Sequence, residues 1–199
     1  DVSNVSMHEM FSLYNIESTN SKLSSTNSDY PFNQDISNWN VSNVTNFTSM
    51  FVQSNFNNSI FKVDTSNVRN VNMERMFRTS RDGVVDALTL FNQDISNWNV
   101  KNVTSFEFMF DNANLTTRGK FNNSIFHVDT SEISNVTMKV MFRRSSFNQD
   151  INSWNVSGVT SFNSMFKASS FNRDISGFIK TMNQIADIDE MFSESALSN

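Results

Sequence analysis

The sequence predicts one α/β solenoid, a right-handed stack of about seven units, each a short strand plus a short helix or helical turn, with loop insertions. Three observations predict it. Phe-Asn recurs at Phe32, Phe56, Phe91, Phe121, Phe147 and Phe171. Met-Phe recurs at Met50-Phe51, Met76-Phe77, Met109-Phe110, Met141-Phe142, Met165-Phe166 and Met191-Phe192, with an unopened copy at Met10-Phe11. Gly (4) and Pro (1) are too scarce to make the corners, so Asn and Ser, about a third of the chain, must make them, and turns of one kind recur only in a recurring architecture.

The openings lie 24, 35, 30, 26 and 24 residues apart. A unit of about 24 residues with insertions fits these gaps and falls within the roughly 20–29 residues of leucine-rich repeats. The chain therefore reads as a single repeat domain over 1–199, with a partial unit 1–31 and complete units 32–55, 56–90, 91–120, 121–146, 147–170 and 171–199. The longest insertions, Tyr14–Pro31, Thr79–Leu90 and Asn112–Lys120, are polar and are expected as surface loops, with Val84, Val85, Leu88 and Leu90 folding back on the core.

Two versions of the unit alternate. FNQDISNWNVSNVTNFTSMF at Phe32 is matched at Phe91 and Phe147; FNNSIFKVDTSNVRNVNMERMF at Phe56, two residues longer, is matched at Phe121. The unit from Phe171 reads as a degenerate end copy with Phe178 in place of Trp. Trp39 and Val41 alternate as in a strand, whereas Val44, Phe47, Met50 and Phe51 recur at helical intervals. Stacked at the strand spacing of about 4.8 Å, such units turn each apolar position into a buried column. One column is expected to run through Trp39, Val63, Trp98, Val128, Trp154 and Phe178, a large ring facing a small side chain on alternate rungs. A second, polar column of Asn33, Asn57, Asn92, Asn122, Asn148 and Asn172 is expected to face inward as a structural ladder.

Chemistry-bearing residues are sparse. Arg78, Asp111 and Arg143 follow Met-Phe in consecutive units and alternate in sign, which predicts exposed ion pairs between rungs. Asp35, Asp94, Asp150 and Asp174 share one unit position, but Ser59 and Ser124 interrupt the row, so capping is expected rather than calcium binding. The 2 histidines, His8 and His127, lie several units apart with no triad spacing. No catalytic, cofactor-binding or metal-binding residue is assigned, and no cofactor is expected. Thr45, Arg69, Thr104, Ser134 and Thr160 break any flat threonine array of the ice-binding kind. Asn-x-Ser/Thr triplets come with an Asn- and Ser-rich repeat, and Asn114, in an insertion, is the candidate for glycosylation. Asn57 and Asn122, on the inward ladder, leave no room for a glycan.

A net charge of −5 disfavours nucleic acid and anionic lipid as partners. The absence of Cys excludes disulfides and thiolate metal sites, and no run of about 18 apolar residues predicts a direct membrane span. The pattern F-N-x-D-I-S-x-W-x-V-S-x-V-T-x-x-x-x-M-F resembles the BspA-like leucine-rich-repeat proteins, particularly the mycoplasma surface-lipoprotein repeat family of unknown function. That resemblance implies an extracellular or cell-surface protein. Asn40 and Phe47 depart from the Asp and Met usual in that family. The expected function is non-enzymatic adhesion or surface presentation, with a protein or glycan on a cell surface as partner. A filament of copies joined head to tail through open solenoid ends is the alternative, and a carbohydrate-acting enzyme the weakest reading.

Overall fold

The structure, a computed structural model, describes residues 5–12, 32–79, 90–113 and 117–198. Among the described residues six short strands form one open, all-parallel sheet in sequential order: β1 (Val5–Ser6), β2 (Val44–Asn46), β3 (Val71–Asn72), β4 (Val103–Ser105), β5 (Val136–Thr137) and β6 (Val159–Ser161). Parallel neighbours in chain order require each connection to travel once around the stack, and the result is a solenoid-like repeat fold. The last unit adds a seventh rung, bridged from Ser161 to Asp187.

The strands are not where Trp-x-Val alternation puts them. That segment contributes only single bridges such as Asp64 to Asn99 and Asp129 to Asn155, while the strand begins at the following Val. Nor is the Met-Phe half helical. The one α-helix among the described residues is α1 (Ser176–Thr181) in the last unit. Residues from Phe47 onward donate alternately along the stack and locally. Phe47, Ser49, Phe51 and Gln53 give their N–H to the carbonyls of Asn72, Glu74, Met76 and Arg78 one rung on, and Met50, Val52 and Ser54 close turns onto the residue three back. Three- and four-residue spacing thus arises from a run of turns. The residue before Met-Phe has positive φ in all seven copies: Glu9 (55°), Ser49 (57°), Arg75 (55°), Phe108 (56°), Val140 (60°), Ser164 (54°) and Glu190 (52°). Positive φ at the third turn position is the demand Gly usually meets, and none of these seven is Gly.

The core is made of aromatic columns. Closing Phe11, Phe51, Phe77, Phe110, Phe142, Phe166 and Phe192 stack with neighbouring centroids 5.4–5.6 Å apart. Opening Phe32, Phe56, Phe91, Phe121, Phe147 and Phe171 form a second column at 6.0–6.3 Å, and the two columns touch at 3.9–4.6 Å. Offset rings explain centroid gaps larger than the strand spacing of about 4.8 Å.

The Trp–Val column is corrected. Val63 and Val128 are buried, but the ring of Trp98 lies against Phe61 at 6.2 Å and Phe126 at 6.3 Å, and that of Trp154 against Phe126 at 6.3 Å. The indole reaches back over the residue two positions before the Val, where Trp98 Nε1 donates to Phe61 O at 3.0 Å. The column is aromatic throughout this stretch. Trp39, on an early rung, is 38 % exposed, and Phe178 is buried edge-on to Phe162 at 5.4 Å.

Long and short corners alternate along the stack. Phe56 to Val71 is 15 residues and Phe91 to Val103 is 12, so the long version carries three extra residues before its strand. One is recovered by a bulge in the short version. The register moves from Val71↔Val103 to Asn72↔Ser105, leaving Thr104 unpaired, and Thr160 is bulged likewise. Their hydroxyls donate back to Val71 O and Val136 O at 3.4 and 3.3 Å. The unit from Phe171 has the long-version length, Phe171 to Met191 matching Phe56 to Met76, so the last copy continues the alternation in length.

Candidate functional site

The Asn column lies on the outside. Asn33, Asn57, Asn92, Asn122 and Asn148 each accept through Oδ1 the backbone N–H of the next column member, at 2.7–2.8 Å, ending on Asn172. The inward placement is overturned: these residues are exposed, or half-buried at Asn148, because the Phe before each turns into the core and extended backbone points its successor outward. The steric ground for barring glycans at Asn57 and Asn122 falls with it. A second amide, missed in the sequence, stiffens this edge. Asn58, Gln93, Asn123 and Gln149 donate back to the column carbonyls at 2.9–3.0 Å, and their shared unit position was its signal. Asn114 lies outside the described residues, as do Tyr14–Pro31 and most of the Thr79–Leu90 insertion.

Each repeated Asp closes a corner. Oδ1 of Asp35, Asp94, Asp150 and Asp174 accepts the N–H two residues on at 2.8–2.9 Å, and Asp64 and Asp129 do the same in the long version at 3.0 Å. Hydrogen bonds from Ser37, Ser66, Ser96, Ser131 and Ser176 hold Asp35, Asp64, Asp94, Asp129 and Asp174 below the usual carboxylate range. Asn152 Nδ2 donates to Asp174 Oδ2 at 3.1 Å, which ties the Asp174 carboxylate to the neighbouring corner. Among the described residues no group of three or more ligands could hold a metal ion.

Arg78, Asp111 and Arg143 do meet, but not on the surface. Asp111 is 0 % exposed; its Oδ2 accepts from Arg78 Nε at 3.0 Å and Arg143 Nη2 at 3.1 Å, and its Oδ1 from Arg143 Nε at 2.8 Å. The expected exposed pairs are therefore a triad across three rungs in which Asp111 and Arg78 are buried and Arg143 is half-buried. Its guanidiniums also lie over the Phe108 ring at 5.1 and 6.0 Å, with Arg75 at 4.9 Å. Lys167 pairs with Glu190 at 2.7 Å, which lowers the Glu190 carboxyl, while burial raises that of Glu107 despite Lys139 at 3.9 Å. His8 sits 3.7 Å from Glu9, and His127 is exposed.

A polar depression spans three rungs. Arg69, Asn70, Asn102, Thr104, Ile133, Ser134 and Asn135 line a groove of about 250 Å³. In the sequence Arg69, Thr104 and Ser134 stand only as a broken threonine row; the signal for the groove is the three-residue difference in corner length.

A parallel stack with laddered edges and turn-closed corners defines a repeat solenoid-like protein. The chain belongs to the family described as Mycoplasma protein of unknown function, DUF285, whose model matches twice, over residues 5–119 and 115–199. No curated protein and no solved structure matches it. No helix among the described residues is long and apolar enough to cross a membrane.

Proposed function

We propose that the chain is a non-enzymatic extracellular or cell-surface protein of the BspA-like leucine-rich-repeat kind, wound right-handed, acting in adhesion or surface presentation. One observation carries the reading. The rung-to-rung bonds fall at repeated unit positions, the Asn edge and the closing Phe amides, so the frame is held by what repeats, while residues that differ between rungs project at the corners. Such a frame tolerates sequence change where it meets a partner. Saturable binding of the purified chain to cells, matrix protein or glycan is expected, reduced by corner substitutions and kept by ladder substitutions that leave the fold intact. Binding that is absent on every surface, or indifferent to the corners, contradicts it.

Self-assembly end to end is the second reading. It rests on apolar side chains exposed on the outermost described rungs, Met10 (49 %) at one and Ile179 (51 %) and Ile188 (52 %) at the other. Sedimentation that depends on concentration supports it, and a monomer at all concentrations contradicts it.

A further inference from the structure

We propose that the groove between the two long corners is a saccharide-binding site, taking one sugar residue of an oligosaccharide through side-chain amides and hydroxyls and favouring sugars that carry a carboxylate. This rests on the surface-adhesion reading and names its ligand class.

The groove follows from unit alternation. The long corners that hold Arg69-Asn70 and Ser134-Asn135 flank the short corner at Asn102, so two ridges stand about two strand spacings, roughly 9.6 Å, apart with a recessed rung between them. Its volume of about 250 Å³ is slightly below the roughly 300–1,000 Å³ of sites for drug-sized ligands, which suits a single ring. The next short corner does not open in the same way. It carries Gly158, where a Cβ would meet Ile133 O at 2.0 Å, so the long corner at 131–135 packs directly against it.

Most polar groups in the groove are available, the Thr104 hydroxyl being engaged with Val71 O. Many Asn amides elsewhere serve the frame: Asn33, Asn57, Asn92, Asn122 and Asn148 hold the edge, and Asn40, Asn46, Asn72 and Asn99 accept from the N–H two residues on, whereas Asn38, Asn43, Asn67 and Asn97 are free among the described residues but do not line the groove. Asn70, Asn135, Arg69 and Ser134 have no side-chain hydrogen bond among the described residues, and all four are exposed. Asn102 donates Nδ2 to Thr65 O at 2.8 Å, which leaves its Oδ1 to accept. Each free amide offers a donor and an acceptor on one plane, the pairing that adjacent sugar hydroxyls require, while Ile133 supplies an apolar surface for the C–H face of a ring. Arg69 is the cation in the lining and can pair with a carboxylate in bidentate fashion. Positive φ at Asn70 (56°) and Asn135 (59°) explains why Asn is tolerated there, but Gly would satisfy the backbone equally well.

That equivalence supplies the test. Asn70→Gly/Asn135→Gly keeps the backbone conformation and removes both amides, so Tm should hold while binding falls. The purified chain is applied to an array of neutral and carboxylated oligosaccharides, and the best ligand is titrated by calorimetry. At least a tenfold loss of affinity is expected in the double variant, and loss of the preference for carboxylated sugars in Arg69→Ala. Equal affinity in the double variant overturns the proposal. Cell or matrix binding without any saccharide binding overturns the groove while leaving adhesion standing, and binding to nothing removes both.

Discussion

Asp111→Ala removes the carboxylate that joins three consecutive rungs. Asp111 is 0 % exposed, Arg78 6 % and the Arg143 side chain 24 %, so the substitution leaves one buried and one half-buried guanidinium side by side without their shared carboxylate. Breaking a buried ion pair from one side costs about 3–5 kcal/mol, whereas an exposed pair is worth about 0–1 kcal/mol. At about 2–4 °C per kcal/mol for a chain of this size, Tm should fall by about 6–20 °C in a circular-dichroism melt. Changing Arg78, Asp111 and Arg143 together to Met, Leu and Met should recover most of the loss, because the cost is that of a charge left unmatched. A fall below about 1 kcal/mol in Asp111→Ala would refute the triad, as would a triple variant no more stable than the single one.

Trp98→Ala should cost about 3–5 kcal/mol in urea denaturation, and Trp39→Ala about 1–2 kcal/mol, because Trp98 is 4 % and Trp39 38 % exposed; equal costs would contradict the column as described. Ala168→Gly relieves a left-handed backbone, φ 55°, without removing a polar group, and should raise stability by about 1 kcal/mol; a loss by the same assay would mean that the turn is not left-handed there. Acid should destabilise the protein. The corner carboxylates of Asp35, Asp64, Asp94, Asp129 and Asp174 are lowered in the fold, so their contribution is complete above the unfolded value of about 3.9 and is lost as pH falls through the folded values. Glu107, raised by burial, runs the opposite way but stands against these five and Glu190, which Lys167 lowers. Tm should be level from about pH 7 to 5 and drop below about pH 4; a Tm that rises toward pH 3 would contradict the corner turns.

Much of the stack is legible in the sequence because stacking converts a repeated position into a column. The paired Phe positions needed no knowledge of the turn between them to be placed in the core. The strand was harder. Trp39 and Val41 alternate as strand residues do, yet pairing starts at Val44, since the preceding segment rounds a corner and makes only single bridges. Val44, Phe47, Met50 and Phe51 imitate a helical face because turns with a left-handed residue at Ser49 also bring every third or fourth side chain inward. The usual marker of that geometry, Gly, is missing from those positions. Counting along the chain sets Val63 opposite Trp98, and backbone register agrees, but an indole is long enough to seek Phe61 instead. Inward or outward facing of the Asn column depends on the backbone direction after Phe, which periodicity does not report. Burial of Asp111 depends on packing by neighbouring rungs. The groove is not legible in the sequence because its residues occupy different unit positions on three rungs and share no motif.

The central claim is that each Met-Phe close forms one rung of a continuous parallel ladder. Phe51, Phe77, Phe110, Phe142 and Phe166 donate their backbone N–H to the Met carbonyl of the next rung at 2.8–2.9 Å. Native-state hydrogen exchange followed by NMR reads these amides directly. Slow exchange at all five, governed by global unfolding in the middle rungs, is the predicted result. Exchange of these amides at the rate of an unstructured peptide would contradict the ladder.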